Sequence, residues 1–148
     1  MTAQSIAGLI SAFRRLSTES PEKFVLLREI EKHDLAETTA FLASVASDSA
    51  EFDLARIEAL NILEVRKPTD PAVARAIEGV LATDHDALVR SHAARALAGV
   101  IAIPGVARIA ARYALDPKED TDLRHNAFFA LERGGPTPEV VELVRSFL

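Results

Sequence analysis

An eight-residue pattern recurs at a constant spacing of 34 residues along this chain of 148 residues. Each copy begins with Arg, has Ala three residues later and ends with Leu seven residues after the Arg. The copies occupy residues 56–63, 90–97 and 124–131, and a fainter copy begins at Lys23. Self-similarity at a fixed period of about 20–50 residues is typical of repeat proteins, whose units pack mainly against their neighbours.

Apolar residues recur at helical spacing through almost the whole sequence, which predicts an all-α protein. Acceptor side chains before proline, as in Asp70-Pro71, mark helix starts. Short connections between helices favour antiparallel neighbours. We predict nine helices, at residues 3–16, 21–33, 35–47, 50–66, 71–82, 87–102, 105–115, 120–133 and 138–147.

Both helices of each repeat carry an apolar stripe, and one helix pair cannot bury both stripes by itself. Stacked pairs bury them against each other, which predicts an α-solenoid of about four antiparallel helix pairs plus a C-terminal capping helix. We predict a single domain over residues 1–148. Residues 35–134 form its regular repeats, residues 1–34 a divergent N-terminal cap repeat, and residues 138–148 the capping helix.

Residues Asp84–Gly99 read DHDALVRSHAARALAG. This segment resembles the HEAT-repeat family, most closely the short HEAT-like repeats of phycobilisome lyases and of many bacterial proteins. The resemblance implies that the second helix of each pair lines the concave side of the solenoid. It also implies a polar ladder, in which side chains of successive repeats bond to one another.

The same resemblance implies an Asp in the turn within each repeat, six residues before the Arg. Asp84 holds this position in the middle repeat. In the flanking repeats the position is held by Ala50 and by Lys118, so that Asp48 or Asp116 would have to substitute through a longer turn.

The recurring arginines Arg56, Arg90 and Arg124 form a basic row. Arg early in a helix is unfavourably placed for the helix dipole. We therefore interpret the row as structural rather than functional, and we expect each Arg to bond a turn carboxylate of its own or of the next repeat.

The chain carries 17 Lys and Arg against 22 Asp and Glu, a net charge of −5 that is spread evenly. A general nucleic-acid binder needs an excess of basic residues, so we expect no nucleic-acid partner. No apolar run approaches the roughly 18 residues of a transmembrane helix, and no basic residues precede the first apolar stretch as in a secretory signal. We expect no membrane partner and a cytoplasmic location.

No constellation of residues predicts catalysis. His85 and His92 are seven residues apart, with Asp84 and Asp86 beside the first, but a zinc site needs three or four converging ligands. Carboxylates two residues apart do not face each other on a helix, and no phosphate loop or nucleophile elbow occurs. We expect no catalytic residues, no cofactor and no metal, and therefore not an enzyme.

A protein partner is expected on the concave face of the second helices, where side chains vary between repeats while the core positions recur. An ordinary solvated face also varies, so this pattern alone does not decide between the two. The candidate binding residues are Glu58, Asn61, His92, Arg95, Asn126, Phe129 and Arg133.

The adjacent residues Phe128 and Phe129, in the last repeat, are the most informative about whether this face binds a partner. Phe128 matches the positions of Leu60 and Ala94, so we expect it to pack on the neighbouring layer. Phe129 matches the polar positions of the other repeats, which predicts either an exposed anchor beside Arg133 or burial beneath the C-terminal helix.

These observations favour a non-enzymatic protein–protein interaction module, an adaptor or scaffold that binds one protein partner. One alternative is an immunity protein that neutralises a toxin, since the acidic balance suits a basic partner such as a nuclease. Another alternative is a HEAT protein with a chromophore-lyase-like role or another association with an enzyme. We expect a monomer or weak self-association.

Overall fold

The computed structural model describes residues 5–146, and this part of the chain is all-helical. It contains no strand, and none of its helices is long and apolar enough to cross a bilayer. The predicted ends of the first and last helices, at residues 1–4 and 147–148, lie outside the described residues. The helices are α1 (Ile6–Arg15), α2 (Glu22–Glu31), α3 (Ala36–Ser47), α4 (Asp53–Arg66), α5 (Pro71–Thr83), α6 (Ala87–Ala96), α7 (Val106–Leu115), α8 (Thr121–Gly134) and α9 (Pro138–Ser146).

Within residues 5–146 the helices follow the sequence prediction closely, and two of them begin at a local signal. Asp70 and Asp86 are N-caps whose side chains accept hydrogen bonds of 2.9 Å from the amides of Ala72 and Val89. Helix α4 differs at its start: it begins three residues later than predicted, at Asp53, after a turn over residues 48–52.

Helices pack in an order that pairs each odd-numbered helix with the next one. Helix α1 packs on α2, α3 on α4, α5 on α6 and α7 on α8. The second helices also pack on each other in the sequence α2, α4, α6 and α8, and α3 lies between α1 and α5. Helix α9 packs on α7. The recurring alanines Ala59, Ala93 and Ala127 are fully buried, as their small size at a close helix contact requires.

The predicted helix 87–102 is interrupted, which corrects the sequence prediction. Helix α6 ends at Ala96 and continues as a single 3₁₀ turn, Leu97–Val100. This turn packs against α4, α5, α7 and α8. A Cβ atom on Gly99 would lie only 2.6 Å from the carbonyl oxygen of Glu64, so glycine allows the α4 backbone to approach closely here.

Helices α4, α6 and α8 each carry an arginine that bonds back to the partner helix of the same repeat. Arg56, Arg90 and Arg124 are each the fourth residue of their helix. Their Nε atoms donate to carbonyl oxygens in the last turn of α3, α5 and α7, at 3.0, 2.8 and 3.1 Å. Carbonyls in the last turn of a helix lack intrahelical partners, so these bonds satisfy groups that the helix itself leaves free.

The same basic side chains also reach forward to the next repeat. Lys23 forms an ion pair with Glu51, and Arg56, which is only 2% exposed, forms one with Asp84. Arg90 donates to both carboxylate oxygens of Glu119, at 3.1 and 2.8 Å. The expected bond to a carboxylate of the next repeat is therefore present for Arg56 and Arg90. Arg124 differs: within the described residues its side chain bonds only the Ala114 carbonyl, so the expectation of a carboxylate partner is wrong there.

The turn aspartates occupy equivalent places, although the turns differ in length. Asp48, Asp84 and Asp116 each follow the last residue of a first helix, and each accepts a 2.9 Å bond from the amide two residues later. Only Asp84, in the short turn, also pairs with the preceding repeat. In the two longer turns a Glu further along makes that contact, Glu51 in one and Glu119 in the other.

Charge pairing shifts the titration of this ladder. Burial alone would raise the pKa of Asp84, but the hydrogen bond and charge of Arg56 together with the amide of Asp86 lower it below its ordinary value of 3.8. The Glu119 carboxylate raises the pKa of Arg90 through its hydrogen bonds. Both shifts favour the charged forms that the ladder uses.

Replacing Gly99 with alanine is expected to destabilise the protein by about 1–3 kcal/mol, because the new methyl group would press into the α4 backbone. Gly79→Ala is the matched control. Gly79 lies inside α5, and the space that a Cβ atom would take there is open, so this variant should leave stability unchanged or raise it by up to about 1 kcal/mol. Urea unfolding followed by circular dichroism measures both variants, and equal stabilities would contradict the close contact.

Arg56→Met is expected to cost about 3–5 kcal/mol, because it leaves the Asp84 carboxylate buried without its partner. The milder variant Asp84→Asn tests the linkage to pH. A lowered pKa in the folded state stabilises above the unfolded value of about 3.8 and is lost as the pH falls below it. Urea midpoints should therefore separate wild type from Asp84→Asn at pH 6 and converge near pH 2.5; a pH-independent difference would contradict this account.

Candidate functional site

The exposed sides of α4, α6 and α8 lie next to each other, and they hold all the candidate binding residues. We call this surface the second-helix face. None of its residues is fully buried, and Arg133 is the most open. The face is defined by Glu58, Asn61, His92, Arg95, Asn126, Phe129 and Arg133.

Polar side chains on the face contact each other from one helix to the next. The Nδ1 atom of His92 on α6 lies 3.3 Å from the side-chain oxygen of Asn61 on α4. Asn126 on α8 donates to the backbone oxygen and to the hydroxyl oxygen of Ser91, at 2.9 and 2.8 Å. These contacts hold part of the face in one arrangement. Glu58 is half-buried on α4.

An arginine–phenylalanine–arginine stack stands at the α6–α8 end of the face. The guanidinium carbon of Arg95 lies 4.0 Å from the centre of the Phe129 ring, and that of Arg133 lies 5.2 Å from it. Both distances are within the range of cation–π attraction. The Arg95 Nε atom also lies 3.1 Å from a carboxylate oxygen of Glu64, which sequence reasoning did not single out.

The two adjacent aromatic residues have different surroundings. Phe129 is half-buried between the two arginines, and the C-terminal helix packs mainly on α7. Phe128 is 47% exposed, so the expectation that it packs on the neighbouring layer is wrong. Its counterparts Leu60 and Ala94 are buried because another second helix follows theirs, whereas no described helix packs in that way beyond α8.

Two exposed valines extend the apolar part of the second helices. Val25 on α2 occupies the repeat position of Glu58 and is 62% exposed. Val65, at the position of Arg133, is 74% exposed. Both valines lie at repeat positions that are equivalent to residues of the second-helix face. This equivalence is the sequence feature from which they could have been added to the candidate binding residues.

Partial burial on the face lowers the pKa of His92, so its ring loses its proton more readily than the ring of a free histidine does. Partial burial, and then the positive charge of Arg95, lower the pKa of His92 below its ordinary value of 6.5, while Glu64 acts in the opposite direction. A neutral imidazole with its proton on Nδ1 donates to the Asn61 side-chain oxygen without adding a second positive charge beside Arg95.

A second concentration of charged groups lies at the edge formed by the turns within the repeats. A cleft of about 640 Å³ there is lined by Arg56 and by Asp53, Asp84, His85 and Asp86. Burial, and then hydrogen bonding and repulsion with Asp86, raise the pKa of Asp53 above 3.8. Within the described part of the chain, no three His, Asp or Glu side chains are placed to hold a metal ion together. Asp84 and Asp86 accept hydrogen bonds from backbone amides of the turn and of the next helix, and the Arg56–Asp84 pair joins two repeats.

No family model, no curated protein and no solved structure matches this chain. The HEAT-repeat resemblance therefore stays a prediction that rests on the sequence pattern.

Proton NMR of the His92 ring is expected to give a pKa below 6.5, and Arg95→Gln should move it upward, because it removes the neighbouring positive charge. A histidine whose pKa is lowered by folding destabilises the protein as the pH falls below about 6.5. His92→Gln should therefore reduce the loss of stability between pH 7.5 and 5. An unchanged His92 pKa in the Arg95→Gln variant would contradict this description of the face.

Proposed function

We propose that this chain is a non-enzymatic protein-binding module, built as a HEAT-like α-solenoid, which binds one protein partner through the second-helix face. Three observations support the solenoid: the order in which the helices pack, the recurrence of buried alanines in the second helices, and the basic side chains that bond to successive repeats. Arrays of this kind present extended binding surfaces.

The observation that carries the binding role is the stack of Arg95, Phe129 and Arg133. Aromatic residues and arginine are the types most enriched at the energetic centres of protein interfaces. Stacking fixes the ring and both guanidinium groups before a partner arrives, so that less side-chain entropy is lost on binding. The stack remains half-open, and its outer surface is available to a partner.

Polar groups of the face pair with groups on the neighbouring second helix, which favours binding over catalysis. His92 contacts Asn61, Arg95 contacts Glu64, and Asn126 contacts Ser91. Such cross-links make a preformed, rigid surface. An adaptor or scaffold role suits a surface of this kind, and the identity of the captured partner decides between that role and the neutralisation of a toxin.

Phe129→Ala is expected to weaken partner binding at least tenfold, since hot-spot truncations cost about 2 kcal/mol or more. The matched control is Phe128→Ala, the same substitution on the adjacent residue, which lies outside the arginine stack. Affinity capture from native lysate with quantitative mass spectrometry, followed by titration of the captured protein, measures both variants. Circular dichroism verifies that both remain folded.

A protein that binds wild type and Phe128→Ala but not Phe129→Ala supports the proposal. Equal binding by all three forms, or capture of no protein by wild type, overturns it. If the captured protein belongs to a larger assembly, the adaptor role follows; if it is a basic toxin, the immunity role follows.

A further inference from the structure

A groove adjoins the second-helix face where α4 and α8 end. Its volume is about 670 Å³, and it runs between the turn that follows α4, the segment from the 3₁₀ turn to Pro104, and the last turn of α8. Arg133 belongs both to this groove and to the stack on the face. The groove is therefore continuous with the surface that we propose binds a partner.

Apolar groups form much of the groove. Val65, which is 74% exposed, lies on one side, and Ile101 and Ile103 lie on the other. Gly99 and Gly134 let the segments that line the groove approach each other closely. A Cβ atom on Gly134 would lie 2.6 Å from a carbon of Ile101. An extended or helical segment with aliphatic side chains would bury this surface, which is otherwise in contact with water.

The charged groups of the groove are positive on balance, although the whole chain carries −5. Lys67, Arg133 and Glu64 are its charged lining residues. The Glu64 carboxylate is already engaged by Arg95. Within the described residues, neither Lys67 nor Arg133 forms an ion pair. Both cations are exposed and open to a negatively charged ligand.

We infer that this groove binds an acidic, apolar polypeptide segment of the protein partner, with one or more Asp or Glu residues next to aliphatic side chains. This inference rests on the proposed function and names the chemistry of what is bound. The carboxylates meet Lys67 and Arg133, and the aliphatic groups meet Val65 and Ile101. Charge complementarity of this kind sets register and partner choice at an interface.

The opposite charge on the segment is disfavoured, because a basic peptide would place its cations beside Lys67 and Arg133. A nucleic acid is also disfavoured as the ligand. Its affinity depends on contacts between many cations and the phosphates, and only two basic side chains line this groove. The partner as a whole can still carry any net charge. Only the docked segment is specified.

The test is a selection from a displayed library of random 12-residue peptides on the immobilised full chain. Enriched peptides are expected to combine Asp or Glu with Leu, Ile, Val or Phe. The best of them, synthesised with a fluorophore, is then titrated against each variant by fluorescence anisotropy. Lys67→Glu and Arg133→Glu should each weaken binding at least tenfold. The control Arg75→Glu, an identical charge change at an exposed position on α5, should change it less than twofold.

Exchanging the charges of the peptide and of the groove distinguishes a lost contact from a folding defect, because a misfolded variant would not regain binding. Replacing the acidic residue of the peptide with Lys should abolish binding to wild type and restore at least part of it to Lys67→Glu. Enrichment of basic peptides, enrichment of none, or an affinity insensitive to Lys67→Glu overturns the inference. A chain that dimerises in sedimentation, with Lys67→Glu dispersing the dimer, also overturns it, because the occupant is then a second copy.

Failure here is distinguishable from failure of the proposed function. Lys67 lies outside the arginine–phenylalanine stack, so the two variants probe separate parts of the surface. If Phe129→Ala loses the native partner while Lys67→Glu keeps it, the binding role stands and the groove assignment falls.

Discussion

In the two middle repeats, one arginine near the start of the second helix connects three parts of the structure. Arg56, Arg90 and Arg124 each bond a carbonyl at the end of their own partner helix, and the first two of these also bond a carboxylate in the next repeat. Charge-assisted, two-oxygen pairing by arginine fixes geometry as well as energy. Helix pairing within a repeat and the register between repeats are therefore set by the same residue.

That arrangement divides each second helix into surfaces with separate tasks. The recurring Ala and Leu positions face the core, and the basic residue faces the turn edge. The remaining positions carry no structural duty that every repeat shares, so their residues are free to differ. One of these equivalent positions is held by Asn61, Arg95 and Phe129 in successive repeats. The first is a polar residue, the second is a cation, and the third is the aromatic residue on which that cation stacks.

Features governed by local sequence are the ones that the sequence predicts well. The helices, the N-cap at Asp70 and the burial of the repeat alanines follow from spacing and from side chains next to them in the chain. Two features governed by contacts between distant segments are not predicted. The helix break near Gly99 depends on how closely α4 approaches, and the exposure of Phe128 depends on α9 packing against α7.

The central claim is that ion pairs between repeats hold the array in register, and a double-mutant cycle on Arg90 and Glu119 tests it most directly. Free energies of unfolding are measured in urea for wild type, Arg90→Met, Glu119→Gln and the double variant. The bond from Arg90 to the Leu81 carbonyl is lost in both Met forms and cancels. The account predicts a favourable coupling energy of about 1 kcal/mol or more. A coupling near zero would contradict it.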